Sequence, residues 1–465
     1  KCSAVSTSSR DITSIKYNSV EYQYSKKHTQ IASGLGTATV SYKVSGNYIT
    51  ITIATSTLVG SNRFSWTRRR VLTWMADTIL RSRGTAIEDK DVFTVSGQTR
   101  SKLYSSVRFF EDKVHGVTGS GVGVYVVIPG NGYERSSGGP FYRDIDNQNS
   151  PSDDGAQEVY YYMNPNHEQT EPYRTGFFGR RPYALVFTTG SVPSSSLDLS
   201  FFEGLGLTGY VAASGRGTVS GTVSDVSSSF AAVVGLGNSA AQYWSTASGG
   251  SFSILGVKPG TYTATLYKKE LEVATGSVTV AAGKTTTLSL TSTESLPTLI
   301  WQIGVPDGTP SGFLNADKIE TEHPSDSRMI SWGPVTYTIG SSSASSFPMA
   351  QFIDVNNPTT IKWTATTSQI GARTLRIRTT SFYNGGRPSV QVNNWTSSTP
   401  AAPTKIDSRG VTRGTWRGLN QMYEYSILSG MLVAGSNTIT ITIVSGSGGD
   451  DFLSPSVVYD SIELY

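Results

Sequence analysis

A chain of 465 residues has room for about three domains. Only 15% of its residues are charged while 48 are glycine and 11% aromatic, which excludes a coiled coil, argues against disorder and suits all-β domains with many tight turns. A balance of 38 basic against 34 acidic residues, net +4, is too weak for a nucleic-acid footprint yet permits an acidic polysaccharide as partner. Period-two alternation then dominates the chain. Thr39 to Val44 and Tyr48 to Ile53, joined by Ser45-Gly46-Asn47, read as a hairpin. Val122 to Ile128, Glu158 to Met163 and Tyr183 to Thr188 read as further strands. Arg63 to Gly84 breaks the pattern with six arginines and a helix-like run, Val71 to Leu80.

A boundary falls near Leu207 to Gly209. Beyond it, Gly217 to Val223 and Phe252 to Tyr267, turning at Lys258-Pro259-Gly260, read as a small sandwich. Two strands around Ala282-Gly283-Lys284 complete it, and Thr291 to Leu296 is a polar linker ending at Pro297. The last part is strand-rich again: Thr298 to Ile303, Val335 to Ile339, Ile361 to Ala365, Thr374 to Arg378, Ser389 to Asn393, Thr438 to Val444 and Ser456 to Leu464. No fixed-period repeat is present, and no run of about 18 apolar residues predicts a membrane span. Lys1 to Ala4 is not followed by the apolar core of a signal peptide, so a signal has been removed or the chain starts within a domain. Cys2 is the only cysteine, and an intrachain disulfide is ruled out.

No metal motif is visible, because His28, His115, His167 and His323 are scattered. Three polar and aromatic clusters stand out: Gln98 to Ser106, Ser136 to Asp144 and Tyr160 to Glu168. In the third, strand periodicity puts Tyr160 and Tyr162 on one face, with His167 in the loop after it. Such a face suits a sugar ring, whose C–H groups stack on aromatics. From spacing alone the plainer account is the stronger: two ordinary sheet tyrosines and a surface histidine. Lys102 alone is likewise most often a solvated charge. Arg409 and Arg413, four apart in a Gly-rich loop, can fork onto the carboxylates of an acidic ligand or serve as loop ion-pair partners.

The runs RSKLYSS (Arg100 to Ser106), SSGGPFYRDI (Ser136 to Ile145), YMNPNHEQTEPYRTG (Tyr162 to Gly176), GYVAASGRG (Gly209 to Gly217), HPSDSRM (His323 to Met329) and DSRGVTRG (Asp407 to Gly414) resemble fungal rhamnogalacturonan lyases of polysaccharide lyase family 4. The resemblance runs from about Asp11 to Tyr465, the arginine-rich stretch excepted. It implies an all-β protein of three domains: a catalytic β-sandwich at 1–207, left incomplete by that stretch, a fibronectin-III-like sandwich at 208–293 and a jelly-roll, carbohydrate-binding-like domain at 296–465. It also implies β-elimination in rhamnogalacturonan I, at the bond between rhamnose and O4 of galacturonate. The family's catalytic lysine and histidine fall by motif on Lys102 and His167.

Lys102 is then the base at C5, with Arg100 and Arg108 near it in sequence to lower its pKa, and His167 its acid or charge-stabilising partner. The order of these two roles stays open. Tyr160 and Tyr162 become subsite walls, and Arg409 and Arg413 arginines that reach the sugar chain. The family does not rely on calcium for catalysis, so no catalytic cofactor is implied, and a structural calcium in the third domain is compatible with the resemblance. The implied setting is secreted and extracellular, as a monomer, with rhamnogalacturonan I as partner and neither nucleic acid nor membrane. The sequon Asn394-Trp395-Thr396 agrees with secretion.

Three departures stand against the family pattern. The chain begins late, the family's cysteine pairs are absent, and Arg63 to Gly84 replaces a strand with paired arginines. A lost strand would leave an unpaired sheet edge. Two other classes therefore stay open: a catalytically impaired polysaccharide-binding homologue, and a glycoside hydrolase, for which Asp144, Glu158, Glu168 and Glu171 supply carboxylates but no evident pair.

Overall fold

In a computed structural model, the described residues are 2–5, 12–17, 20–21, 38–45, 48–55, 85–88, 92–95, 98–101, 108–119, 121–128, 138–143, 147–149, 157–159, 184–198, 200–205, 210–319, 322–404, 410–416, 419–446, 452 and 456–465. Among them there is no α-helix, only strands and four short 3-10 turns. The all-β expectation therefore holds. The helix-like run Val71 to Leu80 lies outside the described residues.

In the N-terminal region, Ala38–Ser45 pairs with Tyr48–Thr55 as the expected hairpin, in the register Ser45 to Tyr48. A three-stranded antiparallel sheet follows, with Val122–Val127 at its centre, between Val114–Gly119 and Ala184–Thr188. Its central strand is buried at every position, as a strand covered on both faces must be. Gln157–Val159 is a strand that overlaps the start of the expected Glu158 to Met163, and positions 160–183 lie outside the described residues.

The middle region is a sandwich. One sheet orders Ser251–Val257, Gly217–Ser224 and Thr285–Thr291; the other orders Gln242–Ala247, Ala232–Gly237, Gly260–Lys268 and Leu271–Val280. Side chains from both sheets fill one core, including Val219, Phe252, Val234, Tyr243, Tyr262 and Leu266. The predicted turn before Gly260 is present, and Gly283 takes its left-handed conformation (φ +64°) between the last two strands. Ala232–Gly237 is buried on both faces: Val234 and Leu236 point into this core, while Val233 packs against Phe109, Phe141, Tyr142 and Trp244. The outer face of the four-stranded sheet is thus the seat of the N-terminal region.

The C-terminal region is a second sandwich, of two five-stranded sheets. The first has the order Trp301–Gly304, Val457–Leu464, Arg373–Phe382, Gln421–Ile427, with Ala350–Gln351 also on the second of these. The other runs Thr336–Thr338, Thr359–Ala365, Gly435–Val444, Arg387–Val392, Trp395–Thr396. All seven expected strands are present here, and Ala350–Gln351, Trp395–Thr396 and Gln421–Ile427 add three more. Its core is rich in aromatics, among them Phe347, Phe352, Phe382 and Tyr459, each at most 1% exposed.

Candidate active site at a three-way junction

Lys102, His167, Tyr160, Tyr162 and Arg409 lie outside the described residues, as do Asp144, Glu168 and Glu171. Arg413 closes the 3-10 turn Gly410–Arg413, and its side chain, like those of Arg100 and Glu158, is not among those described. What the structure does describe is a junction of residues that belong to, or follow closely on, three of the motif runs. Arg108 comes six residues after Lys102, Phe141 to Arg143 belong to the second run, and Trp416 comes three after Arg413. Six residues of chain reach at most about 20 Å.

Arg108, Arg143 and Trp416 meet at Glu270, whose side chain is 2% exposed. Arg143 forks onto it, Nη2 donating to Oε1 at 2.7 Å and Nη1 to Oε2 at 3.0 Å. Trp416 Nε1 donates to Oε2 at 3.2 Å, and Arg108 Nη1 stands 3.5 Å from Oε1. The Arg143 guanidinium also lies over the Trp416 ring, 4.6 Å from its centroid. Such planar, bidentate pairing with stacking is what a guanidinium offers and an ammonium does not.

Glu270 sits at the tip of the hairpin joining Gly260–Lys268 to Leu271–Val280. Lys268 pairs with Leu271, so Lys269 and Glu270 alone make the connection. A positive φ at the first central residue of a two-residue turn favours glycine there, and Lys269 instead holds φ +55°, at a strain of roughly 1 kcal/mol. Contacts across the region borders offset it. Lys269 Nζ donates to Asp307 Oδ2 at 2.9 Å, Thr309 Oγ1 at 2.9 Å and Ser311 Oγ at 3.0 Å. The Glu270 N–H donates to the Asp307 carbonyl, and Asn420 Nδ2 donates to the Glu270 carbonyl. Gly308 makes the approach feasible: a Cβ there would come within 2.5 Å of Glu270 and Leu271 backbone atoms. One tip thus ties all three regions together.

The electrostatics correct one expectation. Arg108 does not present a bare charge to the lysine motif, because it hydrogen-bonds Glu111 as well as standing beside Glu270. The hydrogen bond from Arg108 in turn holds the Glu111 carboxyl below its usual range, against the opposing pull of burial. The SSGGPFYRDI run has a structural place. Phe141, Tyr142 and Arg143 are buried in the inter-region contact, with Phe141 edge-on to Tyr267 at 5.0 Å.

The HPSDSRM run is a local knot. His323 is 2% exposed, its Nδ1 within 2.7 Å of Ser325 Oγ, and burial pushes its pKa down to about 4. His115 is paired with Asp112 at 2.9 Å, both largely buried. Among the described residues no group of three or more His, Cys, Asp or Glu stands ready to hold a metal ion, and no helix is long and apolar enough to cross a membrane. Asn394 of the sequon is exposed at the turn into Trp395–Thr396.

Comparison with known proteins adds three family models in chain order. A rhamnogalacturonan lyase B N-terminal model matches residues 2–76 and 68–209, polysaccharide lyase family 4 domain II matches 215–288, and domain III, described as carbohydrate-binding-module-like, matches 299–464. The two N-terminal stretches overlap inside the arginine-rich segment. A protein named rhamnogalacturonate lyase A from Aspergillus aculeatus is 49% identical, over 99% of this chain and 92% of its own length. A protein of the same name from Emericella nidulans is also 49% identical over the same shares. A probable rhamnogalacturonate lyase A from Aspergillus terreus is 50% identical over 98% of this chain and 90% of its own.

Proposed function

The chain belongs to polysaccharide lyase family 4, and on that footing we propose that it is a rhamnogalacturonan endolyase, which cleaves the rhamnose–galacturonate bond of rhamnogalacturonan I by β-elimination. The observation that carries this reading is the near full-length match, at about half identity, to relatives named for that activity.

The elimination asks three things of the protein. A base takes the proton from C5 of galacturonate, the resulting charge spreads onto the uronate carboxylate, and the C4–O4 bond breaks as the C4–C5 double bond forms. O4 leaves with the rhamnose and takes up a proton. Lys102 is the base and His167 its partner, donating to the leaving oxygen or holding the developing charge. A lysine can act so only if burial or a neighbouring cation lowers its pKa toward neutrality. Arg100 remains a candidate for that cation, whereas Arg108 is committed to carboxylates. Tyr160 and Tyr162 wall the subsite, and Arg409 and Arg413 of the third domain grip carboxylates of the polymer. The elimination so written uses no cofactor. A protein acting on a cell-wall polymer works outside the cell, and the exposed sequon Asn394 is in keeping with secretion.

One observation favours a second reading, a binding homologue with impaired catalysis: the N-terminal family model is met in two stretches that overlap at 68–76. Incubation with rhamnogalacturonan I separates the cases. The lyase yields fragments with new ultraviolet absorbance from the unsaturated galacturonate end. New reducing ends without absorbance would mean hydrolysis, and binding without depolymerisation would mean the impaired homologue.

A further inference from the structure

Glu270 lies in the fibronectin-like module, far in sequence from every residue assigned to the chemistry, yet it is the point where the other two domains are joined. From the catalytic domain it receives Arg143 and Arg108; from the third domain, Trp416 and, through its carbonyl, Asn420. Trp416 and Gly410–Arg413 belong to one short segment, the one that carries Arg413 and comes directly after Arg409. Gly410, Val411, Gly414, Thr415 and Trp416 of that segment are buried. Its orientation is therefore set by what it packs on, and at Trp416 that is the Arg143–Glu270 pair.

We propose that Glu270 is a positioning residue for substrate: it fixes the Gly410–Trp416 segment against the catalytic domain, so that one polysaccharide chain is held by both domains at once. The inference rests on the lyase reading above. Its physical basis is that two grips on one polymer reinforce each other only when their separation is fixed. A buried, bidentate ion pair stacked on an indole fixes geometry more tightly than apolar contact does. The sequence supports the reading in one further way. The hairpin keeps a positive-φ lysine next to Glu270 where glycine would be the relaxed choice, and both tip side chains are spent on neighbouring domains.

The test uses the full chain with Glu270→Ala and Glu270→Gln, long rhamnogalacturonan I, and two readouts. The expected result for Glu270→Ala is a KM raised about tenfold, with kcat within about twofold of the parent. Equilibrium binding of the same polymer should weaken by a similar factor. Glu270→Gln keeps the shape and an acceptor for Trp416, and should give a smaller rise of about threefold; it carries the test if the alanine variant fails to fold. A kcat that falls in step with the folded fraction while KM and binding stay at parent values would show a merely structural residue and overturn the proposal. So would parent values throughout. If the parent protein produces no unsaturated ends, the lyase reading fails, and the binding readout still decides the role of Glu270.

Discussion

The fibronectin-like module meets its neighbours through two contacts of opposite character. The outer face of its four-stranded sheet takes the catalytic domain through apolar side chains: Val233 and Trp244 against Phe109, Phe141 and Tyr142. Its hairpin tip takes the same domain and the third through charges, Glu270 with Arg143 and Lys269 with Asp307. Apolar burial is strong but non-directional, and buried ion pairs repay little net stability beyond their desolvation. The face therefore supplies adhesion and the tip supplies orientation. A rigid arrangement of three domains needs both.

Breaking the face should have the largest effect on stability. Phe141→Ala removes a ring that is 6% exposed and is expected to cost about 4 kcal/mol, read as a lower denaturant midpoint. At the tip, Arg143→Met leaves buried Glu270 without its bidentate partner, with only the Trp416 N–H and the longer Arg108 contact, and should cost about 3 kcal/mol. The double variant Arg143→Met/Glu270→Leu sharpens the comparison. Its stability should return to within about 1 kcal/mol of the parent, because an apolar pair replaces an ionic one, while the KM defect stays. Recovery of both would refute the division of labour. Lys269→Ala is the mildest of the tip changes, at most about 1 kcal/mol by the same denaturant measurement, since the lysine is one-third exposed.

A smaller effect concerns the loop on which the tip rests. Asp460 accepts the N–H groups of Asp307 and Gly308 on Oδ1. Burial, with the charge of Asp307 adding to it and Arg378 opposing, raises its pKa from 3.8 to about 7. The folded state then binds this proton more tightly than the unfolded chain, so Asp460 contributes stability that is lost as pH rises from about 4 to about 7. His323 acts oppositely. Its pKa falls from 6.5 to about 4, so its contribution is present above 6.5 and is lost as pH falls toward 4. In the parent the two slopes oppose each other. Asp460→Asn keeps the acceptor and removes one slope, so its melting temperature should climb more steeply than the parent's between about pH 4 and 6.5.

Much of the fold was legible because most strands are covered on one face only and alternate accordingly. Gly260–Lys268, with Tyr262, Ala264 and Leu266 inward and Thr261 and Thr263 outward, is such a case. Ala232–Gly237 was not legible: Val-Val-Gly-Leu-Gly has no alternation, because the catalytic domain buries the face that would otherwise be polar. Gln421–Ile427 does alternate, through Tyr423, Tyr425 and Ile427, and could have been found. The candidate chemistry was legible only through motif resemblance, since a lone lysine or histidine carries no signal of its own. Glu270 carried none either. Lys-Glu at a hairpin tip looks like a solvated turn, and only the fold brings Arg143, 127 positions away, and Trp416, 146 away, onto it.

The proposed β-elimination turns on Lys102 as the base. The most direct measurement is the rate of ultraviolet absorbance gained on rhamnogalacturonan I by the parent and by Lys102→Ala, at matched polymer binding. A steady gain is expected for the parent and a loss of at least about 100-fold for the variant, the ordinary worth of a general base. Full activity in Lys102→Ala would contradict it.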